Sequence, residues 1–439
     1  MKKLFLSTLG FAVAACLLLG VGNLAPTASA ATPLPKIKAN TQGLYNSVTG
    51  KTFTPRGANY VRLAETPAGA SYHSTFEPGQ YNLTKVRAFL NKLQLDKYNT
   101  VRVFIDNGSF NAPFHGISEH VDSMKPIYEP YADNVASFIQ EAQARGIYVL
   151  PVLHAIPANI YYYSIAGQPA PNISDNNIMY MDPGYVKAKE EYMKQFAAAM
   201  VQRLGNTNGI LAYASDNEVS FDASKAPFNQ MSGTVTPVNG VTYDMSSTSD
   251  RQQAADASLV QYTVNMKRGV VAGDPNGLLT MGFFTNRAVG KQSFDGFKTY
   301  CSNLCSTNVD YRVPGRPLVV SLYTNIDFIG MHMYPVNSPG YSVQNDLNTS
   351  EVSQLKKPYI MGEFGAIKSM YNYSISRAAT GMRDLQITTC QMGAKGWLFW
   401  AWDTYETIGE QPLFYMQTEG NGTINNILKP SARPNPCLR

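Results

Sequence analysis

Eight short apolar runs, separated by longer amphipathic stretches along the whole chain, constrain this sequence more than any other feature. They are "TFTPRGANY" (52–60), "NTVRVFID" (99–106), "IYVLPVLHA" (147–155), "GILAYASDNE" (209–218), "LLTMGFFTN" (278–286), "IDFIGMHMYP" (326–335), "PYIMGEF" (358–364) and "GWLFWAWD" (396–403). Their apolar character is near-continuous rather than alternating, which suits parallel strands covered on both faces. Helical patterns lie between them. Residues 133–146 carry Val135, Phe138, Ile139 and Ala142 on one stripe and stop at a glycine. Residues 182–205 enter through Asp-Pro and also close on glycine, and 250–274 form a third such stretch. Entry and stop signals of this kind frame helices. Strand and helix repeated eight times, with right-handed crossovers, imply an α/β fold of the (β/α)8 TIM barrel type.

The first thirty residues are read as a secretory leader and excluded from the fold. Two lysines precede a long apolar run, and "TASA" before Ala31 supplies a small-x-small cleavage site. "VAAC" offers the alternative of a lipid anchor on Cys16. Cleavage after Ala30 leaves 439 − 30 = 409 residues, and losing Lys2 and Lys3 lowers the formal charge from +5 to 5 − 2 = +3. That charge is too mild to imply nucleic acid, and no other run is long and apolar enough to span a membrane. Residues 31–439 are expected to form a single catalytic domain, because no Pro/Ser linker or internal repeat divides them, and a monomer is the expected state. "GLYNSVTGKTF" (43–53) reads as an N-terminal hairpin that plugs the barrel bottom. Four cysteines remain, an even count that suggests two disulfides in an exported chain. Of the three pairings open to them, Cys301–Cys305 as a loop clip and Cys390–Cys437 as a tie for the tail are favoured, with free buried thiols as the plain alternative. The sulfur spacing does not suit zinc, and neither a metal nor another cofactor is expected.

Two of the apolar runs end in chemistry. "LAYASDNEVS" stops at Asp216, Asn217 and Glu218, and "KPYIMGEFGA" stops at Glu363. In an α/β barrel the C-terminal strand tips converge on one pit, so glutamates from the fourth and seventh strands face each other. Two carboxylates across a sugar-sized gap are the machinery of glycosidic bond cleavage. The plain alternative is a pair of strand-end glutamates in solvated ion pairs. Long polar stretches at about 107–132 and 220–249, after strands two and four, would lie over the same face. "NIYYYS" (159–164), after strand three, offers tyrosines to line a cleft.

With these runs in order, the chain resembles the cellulase-type glycoside hydrolases of the barrel clan, nearest to glycoside hydrolase family five. "RGANY" resembles the family's first strand, "NTVRVF" with Arg102 its second, and "VLPVLHA" with His154 its third. "DNE" supplies the Asn-Glu pair at Asn217 and Glu218, and "IGMHMYP" brings His332 and Tyr334. "GEFG" holds the nucleophile position at Glu363, and "GWLFWAW" an aromatic platform at Trp400. The resemblance implies that Glu218 is acid and then base and Glu363 the nucleophile. Arg102 would hold the nucleophile ionised, while burial and the charge of Glu363 would raise the acid. Asn217 would bond the sugar 2-hydroxyl, Tyr334 would donate to the nucleophile, and His154 and His332 would contact substrate. Strand alternation puts Trp400 and Trp402 on one face and Trp397 on the other, toward the helices. The chain departs from the family at Val219, where proline usually follows Asn-Glu, and at Ala155, where a polar residue is usual. Strict alternation would also send Asn217 and Glu218 to opposite faces unless the strand ends or bulges there. The implied function is a secreted retaining β-glycosidase acting on a polysaccharide of glucan or mannan type. The alternatives are a transglycosylase on the same substrates and a carbohydrate-binding barrel without catalysis.

Overall fold

The computed structural model describes residues 33–60, 74–108, 115–167, 175–291, 294, 296–299, 310–336, 341–402 and 413–439. The leader and the Cys301–Cys305 pair fall outside these residues. The eight apolar runs become β1 (Arg56–Tyr60), β2 (Thr100–Phe104), β3 (Tyr148–Val152), β4 (Tyr213–Ala214), β5 (Leu279–Phe284), β6 (Phe328–Met333), β7 (Tyr359–Phe364) and β8 (Trp397–Phe399). They pair in sequence order as a closed parallel barrel, β4 joining β5 through Tyr213↔Leu279 and β8 joining β1 through Trp397↔Arg56. Every residue of these strands is buried. One face of each points into the barrel and the other onto the helices, which is why the runs lack polar alternation.

A helix follows each strand: α1 (Leu83–Leu95), α2 (Glu129–Gln143), α3 (Pro183–Leu204), α4 (Thr248–Gly273), α5 (Pro317–Tyr323), α6 (Val343–Thr349), α7 (Ile375–Gln391) and α8 (Thr423–Leu428). Their starts follow local chemistry. The Asp182 carboxylate accepts from the Tyr185 amide at 2.7 Å ahead of Pro183, and the Ser247 side chain caps α4. Helix α2 begins four residues before the expected start, because Pro130 is accepted in its first turn. "NIYYYS" is no cleft-lining loop. It belongs to a short helix, Ile160–Ala166, capped by Asn159, that buries Tyr162 and Tyr163.

Two apolar layers result. Ile329, Met331, Val101, Val103, Trp397 and Phe399 pack outward against residues of the helices. Leu150, Leu211, Leu278, Phe328, Ile360 and Leu398 fill the barrel interior together with Ile37 and Leu44. Those last two come from an N-terminal antiparallel sheet of Ile37–Asn40, Gly43–Asn46 and Thr52–Phe53, one strand more than the hairpin read from the sequence. The Tyr148 hydroxyl donates to the Pro35 carbonyl at 2.7 Å, fixing this plug at the start of β3. Residues Pro33–Arg439 form one compact unit. Cys390 is bonded to Cys437, with Cα atoms 5.4 Å apart.

Candidate active site

Both glutamates reach the pit because their strands break the period of two. On β7, Met361 pairs with Met331, but Glu363, not Gly362, pairs with His332. Gly362 is the extra residue of a bulge, so Glu363 turns inward although Met361 and Phe364 both belong to the outer layer. After β4 the same device recurs. The Gly282 amide donates to the Asp216 carbonyl at 3.2 Å, and the Gly282 carbonyl accepts from the Val219 amide at 3.0 Å. In a regular parallel ladder those two partners stand two positions apart; here they stand three apart, and the inserted residue lets Asn217 and Glu218 face the pit together. The Val219 amide is one of the two bonds that frame the bulge, a bond proline cannot make. Gly282 is required opposite it: a Cβ there would lie 1.7 Å from the Asn217 carbonyl oxygen.

Arg102 organises the floor. It projects inward from β2 and is 2 % exposed. Its Nη1 donates to Glu363 Oε1 at 2.5 Å and Asn59 Oδ1 at 2.8 Å, and its Nη2 to Asn217 Oδ1 at 2.8 Å. The Tyr334 hydroxyl donates to Glu363 Oε2 at 2.8 Å, so both Glu363 oxygens are held. His332 Nδ1 lies 3.0 Å from Glu218 Oε1 and 3.5 Å from Glu363 Oε2. Oxygens of Glu218 and Glu363 approach within 4.8 Å of each other. Glu363 is 4 % exposed at its side chain and Glu218 28 %, so Glu218 stands nearer the opening.

Burial acts in opposite directions on the two neighbours His332 and Glu218. Burial draws His332 down to about 3, Glu363 opposing and Arg102 assisting, so the ring is neutral near pH 7 and carries one N–H. Burial also raises the Glu218 carboxyl above its ordinary value, against the pull of Arg312 and Arg102. The Glu363 charge, expected to add to this rise, is not among its causes. Glu218, His332 and Glu363 bring their donor atoms within 4.8 Å of one another, the geometry of a possible metal site. The Arg102 guanidinium already occupies Glu363 Oε1 with positive charge, which suits a carboxylate pair better than a cation.

The remaining sequence candidates fall at the rim or behind it. His154 is 48 % exposed, and its Nδ1 accepts from the Asn217 amide at 3.5 Å. Trp400 belongs to the interior layer and meets Phe104 edge-on at 5.5 Å. Trp397 faces the helices, its Nε1 donating to Thr389 Oγ1 at 2.8 Å. Trp402 does not share the face of Trp400. It packs on Phe89 of α1 at 5.4 Å, because β8 ends at Phe399 and alternation does not extend beyond it. Sequence reasoning missed Asn59, whose Nδ2 donates to the carbonyls of Gly362 and Leu398 while its Oδ1 receives Arg102. Its signal was its place in "RGANY", between the outward Ala58 and Tyr60.

A closed barrel with paired carboxylates at the strand tips defines a class, the barrel hydrolases of glycosidic bonds. The chain belongs to one family of that class: residues 61–406 match Cellulase (glycosyl hydrolase family 5). No match was found among curated protein sequences. Among solved structures, an endo-1,4-β-mannanase from Rhizomucor miehei superposes with a TM-score of 0.58 at 13 % identity, over 91 % of this chain and 100 % of that one. The exo-β-1,4-mannosidase Op5Man5 from Opitutaceae bacterium strain TAV5 gives 0.57 at 15 % identity, over 90 % of this chain but only 61 % of that one. The catalytic domain of the major endoglucanase from Xanthomonas campestris pv. campestris gives 0.50 at 15 % identity, over 89 % and 99 %. At such identities the likeness speaks for the fold. The protein is a glycoside hydrolase of the β-glycan-cleaving family 5. Among the described residues, no helix is long and apolar enough to cross a membrane.

Proposed function

We propose that the protein is an exported, monomeric, retaining β-glycosidase that cleaves a mannan or glucan backbone, with Glu363 as nucleophile and Glu218 as acid and base. The observation that carries this reading is the approach of the two carboxylates within 4.8 Å. A gap that short leaves room for direct attack on the sugar and none for an intervening water. Glu363, fixed by Arg102 and Tyr334, attacks the anomeric carbon while Glu218 protonates the departing oxygen. A covalent glycosyl–enzyme ester results. Glu218, now a carboxylate, takes a proton from water as that water displaces Glu363, and the β configuration returns. Neutral His332 is placed to hydrogen-bond Glu218 in either protonation state. Asn217, anchored through its oxygen by Arg102, keeps its amide N–H groups for the sugar 2-hydroxyl. His154 at the rim and Trp400 on the interior face supply further sugar contacts.

The mannanase and mannosidase among the structural relatives, and the endoglucanase beside them, support these two backbones as substrates. Reducing-sugar release from soluble β-mannans and β-glucans tests the substrate class; no release from either would remove it. The roles are tested with azide. Glu363→Ala is expected to yield the α-glycosyl azide, and Glu218→Ala, on an activated aryl glycoside, the β-azide. The reverse stereochemistry would exchange the two assignments.

A further inference from the structure

We infer that Asp216, the residue immediately before Asn217 and Glu218, is a positioning residue for the proton donor, an inference that rests on reading Glu218 as acid and base. Asp216 is 0 % exposed. A carboxylate fully removed from water is costly unless its oxygens are well bonded. Its oxygens accept from the hydroxyl of Tyr262 on α4 at 2.7 Å and of Tyr180 on the short helix Asn176–Met181 at 3.4 Å. Lys189 of α3, equally buried, donates to the Leu153 carbonyl and acts on Asp216 through its charge. His154 Nδ1 stands 4.0 Å from Asp216 Oδ1, and Tyr185 of α3 and Ser215 complete the groups facing it.

The backbone of the same residue begins the bulge. The Asp216 carbonyl receives the Gly282 amide, and the next link to Gly282 comes only at Val219, so Asn217 and Glu218 hang between those two bonds. The side chain therefore bonds the base of the donor loop to two helical segments outside the barrel, and the Lys189 charge acts on it from a third. A carboxylate can accept both tyrosine hydroxyls, whereas a carboxamide offers one acceptor oxygen and a donor that faces a hydroxyl hydrogen. Burial pushes Asp216 up to about 6 and pulls Lys189 down to about 8, so the opposite charges coexist near neutral pH. The consequence is specific. Loosening this anchor should misplace Glu218 and leave Glu363, held on β7 by Arg102 and Tyr334, where it is.

The test compares two substrates with one glycone in the full-length enzyme: an unactivated β-linked trisaccharide and a dinitrophenyl β-glycoside, whose leaving group needs no proton. Asp216→Asn is expected to lower kcat/KM for the trisaccharide about tenfold more than for the aryl glycoside, part of the roughly 10²–10⁴-fold a general acid supplies. Tyr262→Phe, which removes one hydroxyl, should show the same bias more weakly and serves if Asp216→Asn does not fold. Equal losses on both substrates, or no loss on either, would overturn the positioning role. A wild-type enzyme that cleaves neither substrate would instead overturn the glycosidase reading on which it rests.

Discussion

Arg312 shows what one partly exposed charge does to the proposed proton donor. It lies on the strand Arg312–Pro314, which pairs antiparallel with Ser220–Asp222 just beyond Glu218. Its guanidinium sits 5.1 Å from the centre of the Phe284 ring and is gripped by Asp310 through Nε and Nη2. That positive charge opposes the burial that raises Glu218. Replacing it by an uncharged side chain, Arg312→Met, should let Glu218 hold its proton to higher pH. The alkaline limb of the kcat/KM profile then moves upward, more at low salt than at high, because the charge is 45 % exposed and screened. A limb that stays, or moves down, removes Arg312 from the account. At this scale much of the site was legible. Arg102, Asn217, Glu218, His332, Tyr334 and Glu363 are chemically capable residues at or near the ends of apolar runs, and the structure brings them together. Asp216 was not legible, because an acid beside a strand end looks the same in sequence whether it faces water or two tyrosines.

Elements were legible from apolar runs and helix caps, but the tips of the functional strands were not. Period two, carried to its end, would turn Glu363 toward the helices and separate Asn217 from Glu218. The reading that both glutamates meet in the pit needed a bulge, named only at Asn217 and Glu218, and each strand supplies its own inserted residue. Nothing in an apolar run marks where a bulge falls, except a glycine where side chains would collide. Gly282 is such a glycine. A Cβ there would meet the Asn217 carbonyl oxygen at 1.7 Å and His332 Cε1 at 2.9 Å, so the bulge and the histidine cannot both stay in place. Gly282→Ala is therefore expected to cost about 1–3 kcal/mol of stability through overpacking. Its larger effect should be on turnover, roughly a hundredfold in kcat, since displacing the proposed proton donor by about an ångström has that scale. An alanine variant with wild-type kcat would show that the loop carrying Glu218 has a second arrangement of equal competence.

Across the whole molecule the C-terminal tail is fastened on the side of the barrel away from the pit. Arg56, the first residue of β1, is 5 % exposed and donates to the carbonyls of Leu428, Arg433 and Pro434. Burial lowers it to about 10, which leaves it charged at any working pH, and charge-assisted bonds to three carbonyls offset its loss of water. Asn425 of α8 donates to Asp96 just past α1 and accepts from Tyr98, and the Ser431 amide donates to the Asp96 carbonyl. The Cys390–Cys437 bond then joins the end of α7 to the tail across a separation of 47 residues. Cysteine parity suggested that bridges form and left three pairings open, of which this one was favoured, whereas the role of Arg56 had no sequence signal beyond its place in "RGANY". A loop of that length removes about 4 kcal/mol of chain entropy from the unfolded state in the entropic account. Spread over the unfolding entropy of roughly 2.1 cal/mol/K per residue, that amounts to a Tm lower by about 5 °C in the Cys390→Ser, Cys437→Ser double variant. kcat should not change, because the tie holds the bottom of the barrel and the proposed carboxylate pair lies at the top. An unchanged Tm would mean that the hydrogen bonds of Arg56 and Asn425 already restrain the tail without the disulfide. A lowered kcat at full stability would mean that strain at the bottom reaches the carboxylate pair through β8 and β1, the strands where the barrel closes.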